Sequence, residues 1–161
     1  MRVNWCEIAW YAYAYAFALG AGQLVGLVTK CMYDIVDPEI KGKYIHTWQA
    51  LVIGTVERTL FLSSLIAGHG ELIGLWVGLK LGMQYKRWTE NNSGEKGRTL
   101  FMNNLIGNGL SILYAAVGYG IIEWWKTNRI EFAFGVPAML IIGTLVTYGL
   151  LRPLRKSKGG A

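Results

Sequence analysis

Three apolar stretches, Ile8–Val28, Leu100–Ile122 and Phe132–Leu151, dominate what this chain can fold into. Each is about as long as the roughly 20 residues a helix needs to cross some 30 Å of hydrocarbon. In lipid every backbone amide must be satisfied within the protein, which leaves helices or a closed barrel. Apolar–polar alternation appears only in the Ala-Tyr-Ala-Tyr-Ala-Phe-Ala run at 12–18, so a barrel is excluded and the fold class is all-α. Composition agrees: 53% of the residues are hydrophobic and 16% charged, against about 25% charged in a soluble domain.

Breakers at Asp37-Pro38, Gly68-His69-Gly70 and Asn91-Asn92-Ser93-Gly94 divide the chain into five predicted transmembrane helices. They cover 7–29, 44–67, 70–88, 100–122 and 132–152, within a single integral membrane domain spanning 1–161. The alternative is four spans with 70–88 re-entrant. Trp5, Trp10, Trp48, Tyr85, Trp88, Trp124 and Trp125 fall near the expected interfaces, as an aromatic belt does.

Basic residues set the expected orientation. With the C-terminus inside, Lys30, Lys41, Lys43, Lys86, Arg87, Lys96, Arg98, Arg152, Arg155, Lys156 and Lys158 share the inner side. Arg2, Lys126 and Arg129 lie outside. This bias predicts a bacterial inner-membrane protein with its N-terminus outside and its C-terminus cytoplasmic. The net charge of +6 is therefore a topology signal and a site for anionic lipid headgroups; it does not point to nucleic acid. Cys6 and Cys31 bracket the first span about 37 Å apart, too far for a disulfide.

The second and third segments carry Glu57, Arg58, Glu71 and Lys80, where hydrocarbon penalises each charge by roughly 2.5–3.5 kcal/mol. Glu57 precedes Gly68 by about as many residues as Lys80 follows it, so an antiparallel hairpin puts the two at one depth, with Arg58 beside them. This predicts a Glu57–Lys80 pair, read either as a lock on the hairpin or as a site for an ion, proton or solute. Glu71 is expected near the outer surface. Asn104, Asn108 and Ser111 recur at helical spacing on the fourth helix, with Asn103 beside them, and are candidates to face the same polar centre.

Small residues also recur every four positions. Gly70, Gly74, Gly78 and Gly82 on the third helix, and Ala14, Ala18, Gly22 and Gly26 on the first, predict close helix packing. The third helix is expected to be central, with glycines on one face and Lys80, Trp76 and His69 on the other. His46 and His69 have no second ligand at metal spacing, and no motif for phosphate, nucleophilic or metal chemistry occurs. No metal or cofactor is therefore expected.

The stretch Val56-Glu57-Arg58-Thr59-Leu60-Phe61, with Glu71-Leu72-Ile73-Gly74-Leu75-Trp76 and Lys80, resembles small bacterial multi-span proteins of unassigned function. The resemblance covers residues 56–80 and implies that these charges form one unit. The leading expectation is a channel- or transporter-type protein, moving an ion, proton or small solute through a homo-oligomer. Glu57, Arg58 and Lys80 would line its path, with Glu71, Asn104 and Asn108 contributing. The alternative is a non-catalytic accessory or assembly subunit of a membrane complex. A membrane enzyme acting on a lipid is the third reading, and no catalytic residue is assigned to it.

Overall fold

The computed structural model describes residues 4–36, 47–90 and 94–157. These form five helices: α1 (Trp5–Val36), α2 (Thr47–Ile66), α3 (Glu71–Glu90), α4 (Gly94–Lys126) and α5 (Ile130–Ser157). No strand occurs among the described residues. Side chains between 84 and 100, and before 51 on α2, lie outside the description. So do the expected helix start at 44–46 and the interfacial positions of Trp48, Tyr85 and Trp88.

Three helices are long and apolar enough to cross a membrane: α1 over Trp5–Met32, α4 over Phe101–Lys126 and α5 over Ile130–Pro153. They make this an integral membrane protein by length and composition. α2 and α3, at 20 residues each, are about 30 Å long and carry the buried charges. α1, α4 and α5 run past the expected spans. Lys30–Val36 continues α1, Gly94–Leu100 begins α4 early, and α5 continues through Pro153. Water beyond an apolar span does not stop a helix, and at the α5 edge Pro153 is accommodated within it. Pro137 sits inside α5.

Both tight turns lie at one end of the bundle and end their helices in the same way. After α2, Gly68 takes φ +78°, its amide bonds to Leu65 O at 3.1 Å, and His69 N bonds to Ser64 O at 2.8 Å. After α4, Asn128 takes φ +57°, with Asn128 N on Trp125 O at 3.0 Å and Arg129 N on Trp124 O at 2.7 Å. Each is a Schellman cap, which uses glycine or asparagine in the left-handed conformation to satisfy the last carbonyls. Near this end Trp10 stacks on Trp125 with centroids 6.1 Å apart, and Phe134 packs on Trp10 and Tyr13.

The core lies between α1 and α4, which share the most extensive helix contact. Ala14, Ala18, Tyr114, Ala115 and Ile121 are buried there. A Cβ at Gly118 would stand 3.2 Å from the Ala14 carbonyl oxygen and 3.5 Å from the Ala18 side chain, so the backbones meet where small residues face each other. α5 packs on one side of this pair and α2 on the other; α3 touches α2 and α4.

This arrangement corrects the expected place of α3. It is peripheral, and its glycine stripe faces outward. Gly70, Gly74, Gly78 and Gly82 are exposed; a Cβ would meet nothing within 4 Å at the last three and only Leu65, at 3.7 Å, at Gly70. Spacing reveals that a helix has a smooth face but not what lies against it. The small stripe of α1 divides similarly. Ala14, Ala18 and Gly22 are buried, whereas Gly26 is exposed with open space above it.

No disulfide joins Cys6 and Cys31; the first is exposed and the second is 1% exposed. A soluble maleimide is therefore expected to modify one thiol in the folded protein, at Cys6, and two after denaturation. Mass spectrometry of the labelled peptides reads this directly, and modification of native Cys31 would place the α1–α4 packing in error.

Candidate functional site: a buried charge network

α2 brings Glu57 and Arg58 to one depth as neighbours about 100° apart on the helix, so the two side chains leave in different directions. Both are buried, each 4% exposed. Glu57 faces α3 and α4. Its Oε1 accepts from Lys80 Nζ at 2.7 Å and from Trp76 Nε1 at 3.1 Å. Trp76 and Lys80 are i and i+4 on α3, so both project from its inner face. Lys80 Nζ donates a second bond to Asn108 Oδ1 on α4 at 2.8 Å. One carboxylate and one ammonium thus tie three helices together.

The expected Glu57–Lys80 juxtaposition is present, and Asn108 faces it. Trp76 completes the network; its place on the Lys80 face was readable from the helical period, but its role as a donor was not. Glu71 stands apart. It opens α3 at the tight turn, about 13 Å along the axis from Lys80, and its Oε1 lies 3.0 Å from His69 Nδ1. Both of those side chains are well exposed, so Glu71 is no member of the buried cluster. Asn104 is half-buried on α4, about one turn from Asn108.

Arg58 points the other way, towards α1. A Cβ built on Gly22 would collide with the Arg58 Cζ and Nε, and one on Gly54 would come within 3.1 Å of Nη1. Gly22 is therefore less a helix-packing position than the floor under a guanidinium, which spacing alone does not disclose. Nε of Arg58 is buried without a hydrogen-bond partner, and so is Nδ2 of Asn108. The Asn108 amide cannot simply be flipped, because Lys80 requires its oxygen.

Further polar bonds join other helix pairs. The hydroxyls of Tyr15 and Ser63 share a 2.7 Å bond between α1 and α2, as do those of Tyr114 and Thr144 between α4 and α5. Asn103 Nδ2 reaches the Thr29 carbonyl across α1 and α4 at 3.4 Å, while its Oδ1 has no partner. No protein-family model, curated protein or solved structure matches the chain. What the site does must be read from its geometry.

That geometry contains no preformed metal centre: among the described residues no three His, Cys, Asp or Glu side chains converge. A groove of about 300 Å³ lies elsewhere, lined by Val28, Leu110, Met139, Leu140, Gly143, Thr144 and Thr147 between α1, α4 and α5. Its hydroxyls are already committed. Thr144 and Thr147 donate to the carbonyls four residues back, at 2.8 and 2.9 Å.

Proposed function

We propose that this protein is a non-catalytic assembly subunit of the membrane. All five helices would lie in the bilayer, with the N-terminus outside and the C-terminus in the bacterial cytoplasm. The observation that carries this reading is the tether on one oxygen of Glu57. Its Oε1 is held by two donors, one of them a lysine anchored to a third helix. A carboxylate oxygen tied to two helices in this way fixes helix register.

The outer faces suit an assembly role. Only 11% of the spanning part of α5 is buried, and Met139, Ile142, Val146 and Leu150 are exposed on it. On α3 the open stripe of Gly74, Gly78 and Gly82 lies beside exposed Leu75, Leu79 and Met83. Small residues on an unpartnered helix allow a second helix to approach closely, whether from another copy or another protein. Gly78→Ile is expected to leave the thermal midpoint of the protomer within about 1 °C. It should abolish the oligomer or complex recovered by crosslinking in native membranes. An unchanged crosslinking pattern would remove α3 from the assembly surface.

A second reading, a transport-type protein, is supported by Arg58. Glu57 stands against two cations, buried Arg58 and half-buried Lys80, and an uncompensated charge in hydrocarbon is a mark of a solute path. In liposomes this reading requires flux from the wild type that Arg58→Gln reduces severalfold. Equal flux from the two proteins would end it.

A further inference from the structure

We infer that the Arg58 seat between α1 and α2 binds a small monovalent anion, of halide or formate size. The charge count is the first reason. Glu57, Arg58 and Lys80 lie together in the bundle and sum to +1. Glu57 Oε1 is taken by Lys80 and Trp76, so Arg58 has Glu57 as a helix neighbour but no hydrogen-bonded counterion among the described residues. Neighbouring acids on the same helices are remote. Asp34 is twelve residues beyond Gly22 on α1, about 18 Å away, and Glu71 is engaged with His69 at the turn.

An unfilled donor is the second reason. Nε of a 4% exposed arginine has no acceptor. The region is short of acceptors and of negative charge at once. A buried donor left unsatisfied, above all a charged one, is costly, and an anion corrects both deficits.

The seat also limits what can enter. Gly22 and Gly54 present no side chain to the guanidinium, and a Cβ at either would crowd it. At 4% exposure Arg58 is out of reach of an acidic side chain on a partner helix. That leaves a small diffusible anion as the counterion, and a single negative charge suffices to neutralise the set.

The test is the thermal midpoint of purified protein in mild detergent at constant sodium concentration and ionic strength. Chloride, nitrate or formate replaces gluconate stepwise. Wild type should rise saturably, by about 5 °C near a hundredfold excess over the dissociation constant. Arg58→Gln should respond no more than a general salt effect allows. Gly22→Ala, which keeps every charge but takes the seat, should lose the same increment. A flat wild-type series, or a shift retained in Arg58→Gln, overturns the inference. If Arg58→Gln does not fold, Gly22→Ala decides alone, and an undiminished shift there also overturns it. Liposome flux under a chloride gradient separates this from the transport reading. A saturable shift without flux leaves the anion site standing and removes transport.

Discussion

Glu57→Gln is expected to lower stability by about 3 kcal/mol and to cut the yield of folded protein sharply. The substitution preserves shape and removes the only negative charge of the buried set, leaving Lys80 and Arg58 uncompensated. Breaking a buried ion pair from one side costs about 3–5 kcal/mol. The lower end applies because the Lys80 side chain is 21% exposed and can relax towards its opening. Glu57→Gln combined with Lys80→Met should recover more than half of the loss, since no unpaired ammonium then remains beneath Asn108. The charge swap Glu57→Lys with Lys80→Glu should recover part of it. Denaturation of wild type, Glu57→Gln, Lys80→Met and their double mutant in one detergent closes the double-mutant cycle. A Glu57→Gln protein as stable as wild type would mean that the network does not brace the helices, and the assembly reading would lose its support.

The second large effect is expected at Gly118. A Cβ there already stands 3.2 Å from a carbonyl oxygen of α1, and backbone cannot rotate aside as a side chain can. Valine adds two further methyl groups towards Ala18 and Leu62. Overpacking of this kind costs about 1–3 kcal/mol, and the upper end is expected because the obstacle is the helix itself. The Gly78→Val variant, made on the open face of α3, should change protomer stability by less than about 0.5 kcal/mol, because it meets no neighbour and valine is only slightly better than glycine in a helix. Similar losses in the two variants would show that glycine content, and not the α1–α4 contact, sets stability.

These contrasting glycines show what the sequence could disclose. The spacing of small residues identified smooth helix faces on α1 and α3, but contact is a property of two surfaces. α3's stripe looked like the centre of a bundle and lies on its rim. The decisive glycine, Gly118, belongs to no four-residue series with its neighbours. Depth matching was more informative because it used two helices: equal distances from one turn brought Glu57 opposite Lys80. It did not separate Glu57 from Arg58. Adjacent residues share a depth but diverge by about 100°, and the side that each would face depended on helix placement. Asn108 was legible through its polar series, whereas the Tyr15–Ser63 and Tyr114–Thr144 bonds were hidden because hydroxyls at these positions carry no period. The charge imbalance was countable from the start, and only the burial of Arg58 gives it a location.

The contrast between the apolar helices α1, α4 and α5 and the charge-bearing α2 and α3 also bears on biogenesis. α1, α4 and α5 are apolar enough to leave a protein-conducting channel one at a time. α2 is not in the same position, because on its own it would carry Glu57 and Arg58 into lipid without Lys80. Its partner arrives twenty-three residues later in synthesis, on α3. If α2 and α3 lie in the bilayer, as proposed, the hairpin is suited to enter it as a pair, held beside the insertion machinery until both halves are made.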